Sequence, residues 1–250
     1  MELGLAFFAV AIPAVLLAGI SKGGFGSGGA FVATPLLALV IEPAVAVATM
    51  LPLLMLMDVT GLRSYWRGWD WSRARVLMAG RVPGVLLGWA VFRAVDDDGV
   101  RLMVGLVALG FVAFQLARAR GWLRPGQRLG GPVSGLLWGG ASEFTSFVSH
   151  AGGPPASMYL LASNLEKTRY QATTVLTFWW ANLIKLPAYF ALGLISAETA
   201  LAGIALAPVA VAGVLIGVWA HVRVPEAYFF RIMYALLTVA GARLVYDALT

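Results

Sequence analysis

Long apolar runs alternate with short charged connections along the whole chain. The runs cover residues 3–18, 29–41, 44–62, 76–93, 100–117, 131–148, 154–163, 171–194, 198–219 and 226–247. They are uniformly apolar, not ten-residue alternations of the kind a β-barrel shows. A helix crossing a bilayer needs about 20 residues. Eight runs are therefore long enough to span, some only just, and two, 29–41 and 154–163, are too short. Each short run follows a stretch that a continuous helix avoids. The first is Gly19-Ile-Ser-Lys-Gly-Gly-Phe-Gly-Ser-Gly-Gly29, and the second is Thr145-Ser-Phe-Val-Ser-His-Ala-Gly-Gly-Pro-Pro155. Glycine costs about 1 kcal/mol and proline about 3 kcal/mol in a helix interior. Both stretches are expected to be breaks within the membrane region, each followed by a half-helix.

Composition removes the alternatives to a membrane fold. Hydrophobic residues make up 60% of the chain, charged residues 12%, and the mean hydropathy is +0.83. Too few charges exist to cover a water-facing surface, so a soluble or disordered chain is excluded. Backbone groups in lipid must be bonded internally, which leaves helices. The +6 formal charge reads as loop anchoring, not nucleic-acid binding. Arg63, Arg67, Arg73 and Arg75 flank one loop; Arg118, Arg120, Arg124 and Arg128 fill another; Lys167 with Arg169 and His221 with Arg223 mark two more. Cytoplasmic loops concentrate such cations. The loop at Asp96, Asp97 and Asp98 and the turn at Ser196–Thr199 then lie outside. The first run lacks a basic leader and a small-residue cleavage site, so it is expected to stay as a mature helix. There is no cysteine and there are two histidines, so no disulfide, thiolate chemistry, metal cage or cofactor is expected. The expected setting is a multi-pass protein of a bacterial inner membrane, with the lipid bilayer as its partner and a homodimer as one open assembly.

The two halves resemble each other. Gly28-Gly29 matches Gly152-Gly153, Leu36-Leu37 matches Leu160-Leu161, Ala48-Thr49 matches Ala172-Thr173, and Asp58 matches Asn182, all at an offset of about 124 residues. Further on, Val82–Gly88 matches Val211–Gly217 and Arg101-Leu-Met103 matches Arg231-Ile-Met233, with the offset grown by about five or six. The helix at 44–62 and its counterpart at 171–194 receive opposite orientations from the loop charges. The expectation is an all-α fold of two inverted repeats, 1–122 and 130–250, each with three full helices plus a broken helix pair. That makes about eight full spans and two half-helices, with both termini outside. Gly- and Pro-broken helices at matched places in inverted halves are a transporter pattern.

The breaks carry the candidate chemistry. Two helix starts facing each other near the midplane would attract an anion through their dipoles and free amides. The first break offers Ser21, Lys22, Gly24, Ser27, Gly28 and Gly29. The second offers Ser146, Ser149, His150, Gly152 and Gly153. Ionisable groups deep in apolar runs are costly and usually functional. Lys185 lies mid-run, one turn from Asn182 on the same helix face, and the alternative is that it snorkels. Asp58 is expected to pair with Arg63, five residues away, and Arg81 to snorkel. Glu143 is either a proton-coupling carboxylate or a partner of Lys22 or Lys185. His150 titrates near neutrality if unperturbed, or packs as a neutral ring. The GxxxG spacings Gly84/Gly88 and Gly213/Gly217 read as helix packing.

The first break, with its run Gly28-Gly-Ala-Phe-Val-Ala-Thr-Pro-Leu-Leu37, resembles the TauE/SafE family, also called the sulfite exporter or toluene-sulfonate uptake permease family. The segment Asn182-x-x-Lys185-x-Pro187 is similar to that family's second half. The resemblance covers nearly the whole chain. It implies secondary transport of small sulfur-containing anions such as sulfite, sulfonates, sulfoacetate or thiosulfate, by alternating access. The second break departs from the first, since it has fewer glycines and carries His150. A passive channel built from paired half-helices is the alternative. An intramembrane protease needs G-x-S-G, which Phe25 at the second position before Ser27 removes, and no HExxH occurs. The chain is not read as an enzyme.

Overall fold

The computed structural model describes residues 4–25, 31–123, 131–221, 223 and 226–250. They form ten helices: α1 Leu5–Gly24, α2 Ala33–Leu37, α3 Pro43–Ser64, α4 Trp71–Ala94, α5 Asp97–Ala119, α6 Pro132–Ser149, α7 Gly153–Leu161, α8 Lys167–Ala191, α9 Ala197–Ala220 and α10 Glu226–Leu249. No strand occurs among the described residues. The helix starts are written locally. Pro43 and Pro132 occupy first-turn positions, where a missing N–H costs nothing. Asp70, Asp96 and Ser196 cap α4, α5 and α9 by accepting from Arg73, Gly99 and Thr199 amides.

Six helices, α1, α3, α4, α5, α9 and α10, contain stretches long and apolar enough to cross a membrane. The chain is a multi-pass membrane protein. The runs at 131–148 and 171–194, expected to span, fold as α6 with 18 residues and α8 with 25, yet fall outside those six. The reason is their polar content. Ser142, Glu143, Ser146 and Ser149 on α6, and Gln171, Thr173, Thr174, Thr177, Asn182 and Lys185 on α8, are all buried. These two helices turn their polar residues to the protein interior, where partners exist that lipid lacks.

The breaks are shorter than expected. Helix α1 does not end at Gly19 but continues through Lys22, Gly23 and Gly24. Helix α6 continues to Ser149, and the second break narrows to residues 150–152. The half-helix expected over 29–41 is helical only at Ala33–Leu37, whereas the second half-helix, Gly153–Leu161, is close to its expected length. Ser27, Gly28 and Gly29 lie outside the described residues.

Close helix pairs explain why glycine is tolerated inside α1. Helix α1 packs along α9, and α4 packs along α6. Within each pair the helices run parallel: Gly19 meets Gly213 and Gly24 meets Gly217, while Gly80 meets Leu136 and Gly84 meets Gly140. A Cβ on Gly19 would stand 2.9 Å from Gly213 Cα, and one on Gly84 would stand 2.6 Å from the Gly140 carbonyl oxygen. Small residues let the backbones approach where no hydrophobic drive operates. Gly24, a site candidate of the first break, is pressed with Gly23 against α9 instead. Gly84, Gly88, Gly213 and Gly217 all sit at such contacts, in line with the packing reading of their spacing.

The remaining contacts sort the helices into two groups. Helix α3 packs on α9, beside α1; helix α8 packs on α4, beside α6; and α3 meets α8 at the centre. Helices α5 and α10 pair separately, with Gly105 against Gly241 and Val245. Gly4, Glu42, Arg101, Ser196 and Asp247 line one cavity of about 1070 Å³, so both ends of the described chain lie at the same end of the bundle. At the opposite end Gly24, Arg118, Lys167 and His221 help line a second cavity of about 320 Å³. We call these the terminal end and the loop end.

Candidate functional site

A chain of buried polar groups crosses the bundle between the two cavities. Lys22 Nζ on α1 lies 2.8 Å from Asp58 Oδ1 on α3, and neither side chain is more than 4% exposed. Asn182 on α8 donates to the other Asp58 oxygen at 2.7 Å. One turn along α8, Lys185 Nζ donates to the Ser146 hydroxyl at 2.8 Å and to its carbonyl at 3.2 Å. It also lies 3.8 Å from Glu143 Oε1. Arg81 on α4 donates to Glu143 Oε2 at 2.8 Å, with its guanidinium 4.3 Å from the centre of the Phe178 ring.

Lys22, Arg81 and Lys185 contribute three positive charges, and Asp58 and Glu143 contribute two negative ones. Among the described residues one cation is in excess. Lys22 and Arg81 each hold a carboxylate at 2.8 Å. Lys185 is the odd member, since its close acceptors are neutral and its carboxylate is at 3.8 Å. A buried charge without a close opposite charge is expensive.

His150 completes the Lys185 site. It ends α6 in the left-handed region at φ 56°, the place where glycine usually stands. Its ring holds it there. Nε2 lies 2.9 Å from the Val47 carbonyl, which can only accept, so Nε2 carries the hydrogen. Nδ1 is then the acceptor for Lys185 Nζ at 3.1 Å. The imidazole is a neutral bridge from α8 to α3. Beyond it, Tyr189 donates to the Phe147 carbonyl at 2.7 Å.

The loop end is tied by a second set of side chains. Gln171 on α8 donates to the carbonyls of Lys22 and Gly23, at 2.8 and 3.2 Å. Tyr65 donates to the Gly23 carbonyl at 2.7 Å, and Lys167 donates to the His221 carbonyl at 2.8 Å. Outside the bundle, the Ser72 hydroxyl holds the Asp70 carboxyl below its ordinary range, helped by the Arg73 amide.

A family model described as sulfite exporter TauE/SafE matches residues 11–244. The chain belongs to the TauE/SafE family. Its members are transporters. No curated protein and no solved structure matches the chain.

The TauE/SafE residues singled out in the sequence fall in different places. Lys22, Asn182, Lys185, Ser146, Glu143 and His150 come together in the one buried layer. Ser21 and Ser149 are buried beside it, and the Ser149 hydroxyl has no partner among the described residues. Gly152 is pressed against α6, where its carbonyl accepts from Ser142 at 2.7 Å. Gly153 lines the loop-end cavity. Pro154 and Pro155 sit in the first turn of α7 and have no N–H to offer, so this helix start leaves the expected Gly152 and Gly153 amides to face an anion.

Two pairings differ from the sequence expectation, and one alternative falls away. Asp58 pairs with Lys22 and Asn182, because Arg63 is exposed one helix end away. Arg81 does not snorkel; it is fully buried on Glu143. Lys185 does not snorkel either, being fully buried. Gln171, Tyr65, Tyr189 and His221 were not singled out as site residues. The signal for the two tyrosines was present, since each ends a matched segment at the 124-residue offset. The polar Gln171 just before the matched Ala172-Thr173 pair was another.

Proposed function

We propose that this protein is a secondary transporter of small sulfur-containing anions, such as sulfite, a sulfonate, sulfoacetate or thiosulfate, working by alternating access. The observation that carries the reading is the single excess cation in the buried layer. An apolar interior that holds three cations and two carboxylates is completed by one anion. Lys185 is the group with most to gain from it, and Lys22, Ser146 and Ser149 are within the same layer. Family membership supports the same class of cargo.

A carrier is favoured over a passive channel by the separation of the cavities. None of Lys22, Asp58, Arg81, Glu143, His150, Asn182 or Lys185 lines either cavity. The charged layer lines neither cavity, as a carrier closed toward both sides requires, and this supports the carrier reading.

The inverted-repeat architecture is part of the proposal. Under the matched positions α1 to α5 exchange with α6 to α10. The close pairs α1–α9 and α4–α6 then exchange with each other, as do α3–α9 and α8–α4. Tyr65 on the Gly23 carbonyl corresponds to Tyr189 on the Phe147 carbonyl at the same offset. Asp58 and Asn182, 124 residues apart, bond to each other, as matched residues near a two-fold axis must. On this reading the arginine-rich loops put the loop end in the cytoplasm and the termini outside. Glu143 and His150 are the proton-coupling candidates, and His150 can take a proton on Nδ1 only if Lys185 moves off it.

The test is thermal stabilisation of the purified protein by a panel of sulfite, thiosulfate, sulfoacetate and chloride, because a ligand stabilises only the state it binds. At least one sulfur anion should raise the Tm in wild type and do so far less in Lys185→Met. Absence of stabilisation by every sulfur anion would remove the anion site. Saturable counterflow in proteoliposomes then separates carrier from channel.

A further inference from the structure

Helices α1 and α3 gather on α9, helices α6 and α8 gather on α4, and the two groups meet where α3 packs on α8. Between them run side-chain hydrogen bonds that land on main-chain carbonyls at opposite ends of the charged layer. At the loop end the Gln171 amide of α8 reaches the last turn of α1, donating to the Lys22 and Gly23 carbonyls. Toward the terminal end the His150 ring reaches the first turns of α3, with Nε2–H on the Val47 carbonyl. The central link, Asp58 to Asn182, lies between them. Both end contacts are buried, and both are made at once in this structure.

Their positions are related. Val47 and Gln171 are 124 residues apart, the separation of Asp58 from Asn182. At the loop end the matched position supplies the side chain that donates. At the terminal end the matched position has valine, which supplies only its carbonyl, and the donor comes from His150 across the groove. The same junction is thus closed twice by different chemistry. This accounts for two otherwise costly choices: an imidazole in the left-handed region, and a glutamine buried to 1% exposure with its carbonyl oxygen unpartnered among the described residues.

We propose that Gln171 and His150 are the two latches of the transport cycle, positioning residues that tie the helix groups together at the loop end and the terminal end respectively. Each must release for its own side to open, while the Asp58–Asn182 contact stays made as the pivot. The inference rests on the alternating-access reading. Losing one such hydrogen bond shifts a two-state equilibrium about fivefold, enough to bias sidedness without unfolding the protein.

The chain has no cysteine, so single reporters are clean. Thr174→Cys, just beyond Gln171 on α8, reports opening at the loop end, and Thr49→Cys, just beyond Val47 on α3, reports opening at the terminal end; both parent side chains are buried. The readout is the rate of maleimide labelling of each reporter in the purified full chain. Gln171→Leu removes the amide donor. His150→Asn keeps an acceptor near the Nδ1 position for Lys185 and tolerates the left-handed backbone, but cannot reach Val47. Gln171→Leu should speed labelling at Thr174→Cys about fivefold and slow it at Thr49→Cys. His150→Asn should do the reverse. Equal acceleration at both reporters means general loosening and overturns the latch assignment, as does no change at either. The parent reading fails separately: non-saturable flux in proteoliposomes, with no counterflow, would refute alternating access whatever the labelling shows.

Discussion

Replacing Asp58 by asparagine changes almost no volume and tests whether the buried layer is held by charge. In wild type Asp58 faces Lys22 Nζ at 2.8 Å and accepts from Asn182 at 2.7 Å. Asp58→Asn retains a side-chain carbonyl for Asn182. It leaves the Lys22 ammonium buried at 5% exposure without its counter-charge. Removing one partner of a buried pair costs about 3–5 kcal/mol. At about 2–4 °C per kcal/mol for a chain of this size, the Tm should fall by about 6–20 °C. Adding Lys22→Met removes the stranded charge, and replacing both members of a buried pair by groups of similar volume is often neutral. The double variant should therefore recover most of the loss. Lys22→Met alone should be milder than Asp58→Asn, because Asp58 keeps its bond from Asn182. The measurement is thermal unfolding in detergent, followed by the fluorescence of the nine tryptophans. A Tm for Asp58→Asn within 2 °C of wild type would refute the argument, and so would a double variant less stable than Asp58→Asn.

Arg81→Met and Glu143→Gln should move anion binding in opposite directions. The first cancels the excess positive charge and the second doubles it; at roughly 10 Å and an effective dielectric of about 20 each change is worth about tenfold in affinity, measured by the same thermal-shift titration. Gly84→Val should abolish accumulation of folded protein, since even a Cβ meets the Gly140 carbonyl, whereas Gly110→Ala, with open space around it, should express as wild type in a fluorescence-monitored chromatogram. Asp70→Ala should cost about 1 kcal/mol as a lost helix cap. Because the Asp70 carboxyl is held below its ordinary value of 3.8, that difference should be present in full above this pH and fade as the pH falls below it.

The helical membrane fold was legible because long apolar runs admit few other structures. The extent of each break was not. Glycines at 19, 23 and 24 read as helix breakers when only their own segment is considered. They stay helical because α9 approaches so closely that any side chain would collide, and that neighbour lies about 190 residues away in the chain. The polar layer was visible as a set of unlikely residues: Lys22, Asp58, Arg81, Glu143 and Lys185 in apolar runs. Which of them pair was hidden, because the partner of Asp58 is chosen by the meeting of α1, α3 and α8, not by the nearest arginine in sequence. The match of Asp58 with Asn182 was read as register and not as contact, yet the two side chains bond to each other.

The interleaving of the close pairs has a consequence for how the chain is made. Helix α1 waits for α9, and α4 waits for α6, so the first half leaves the ribosome with both of its glycine faces uncovered. Until the second half arrives, the grooves at Gly19, Gly23, Gly80 and Gly84 have only lipid to fill them, and the Arg81 guanidinium has no carboxylate. The two sequence halves are therefore assembly intermediates for each other and not separately stable units. A chain cut within 124–130 should yield fragments that are degraded when made alone and accumulate when made together.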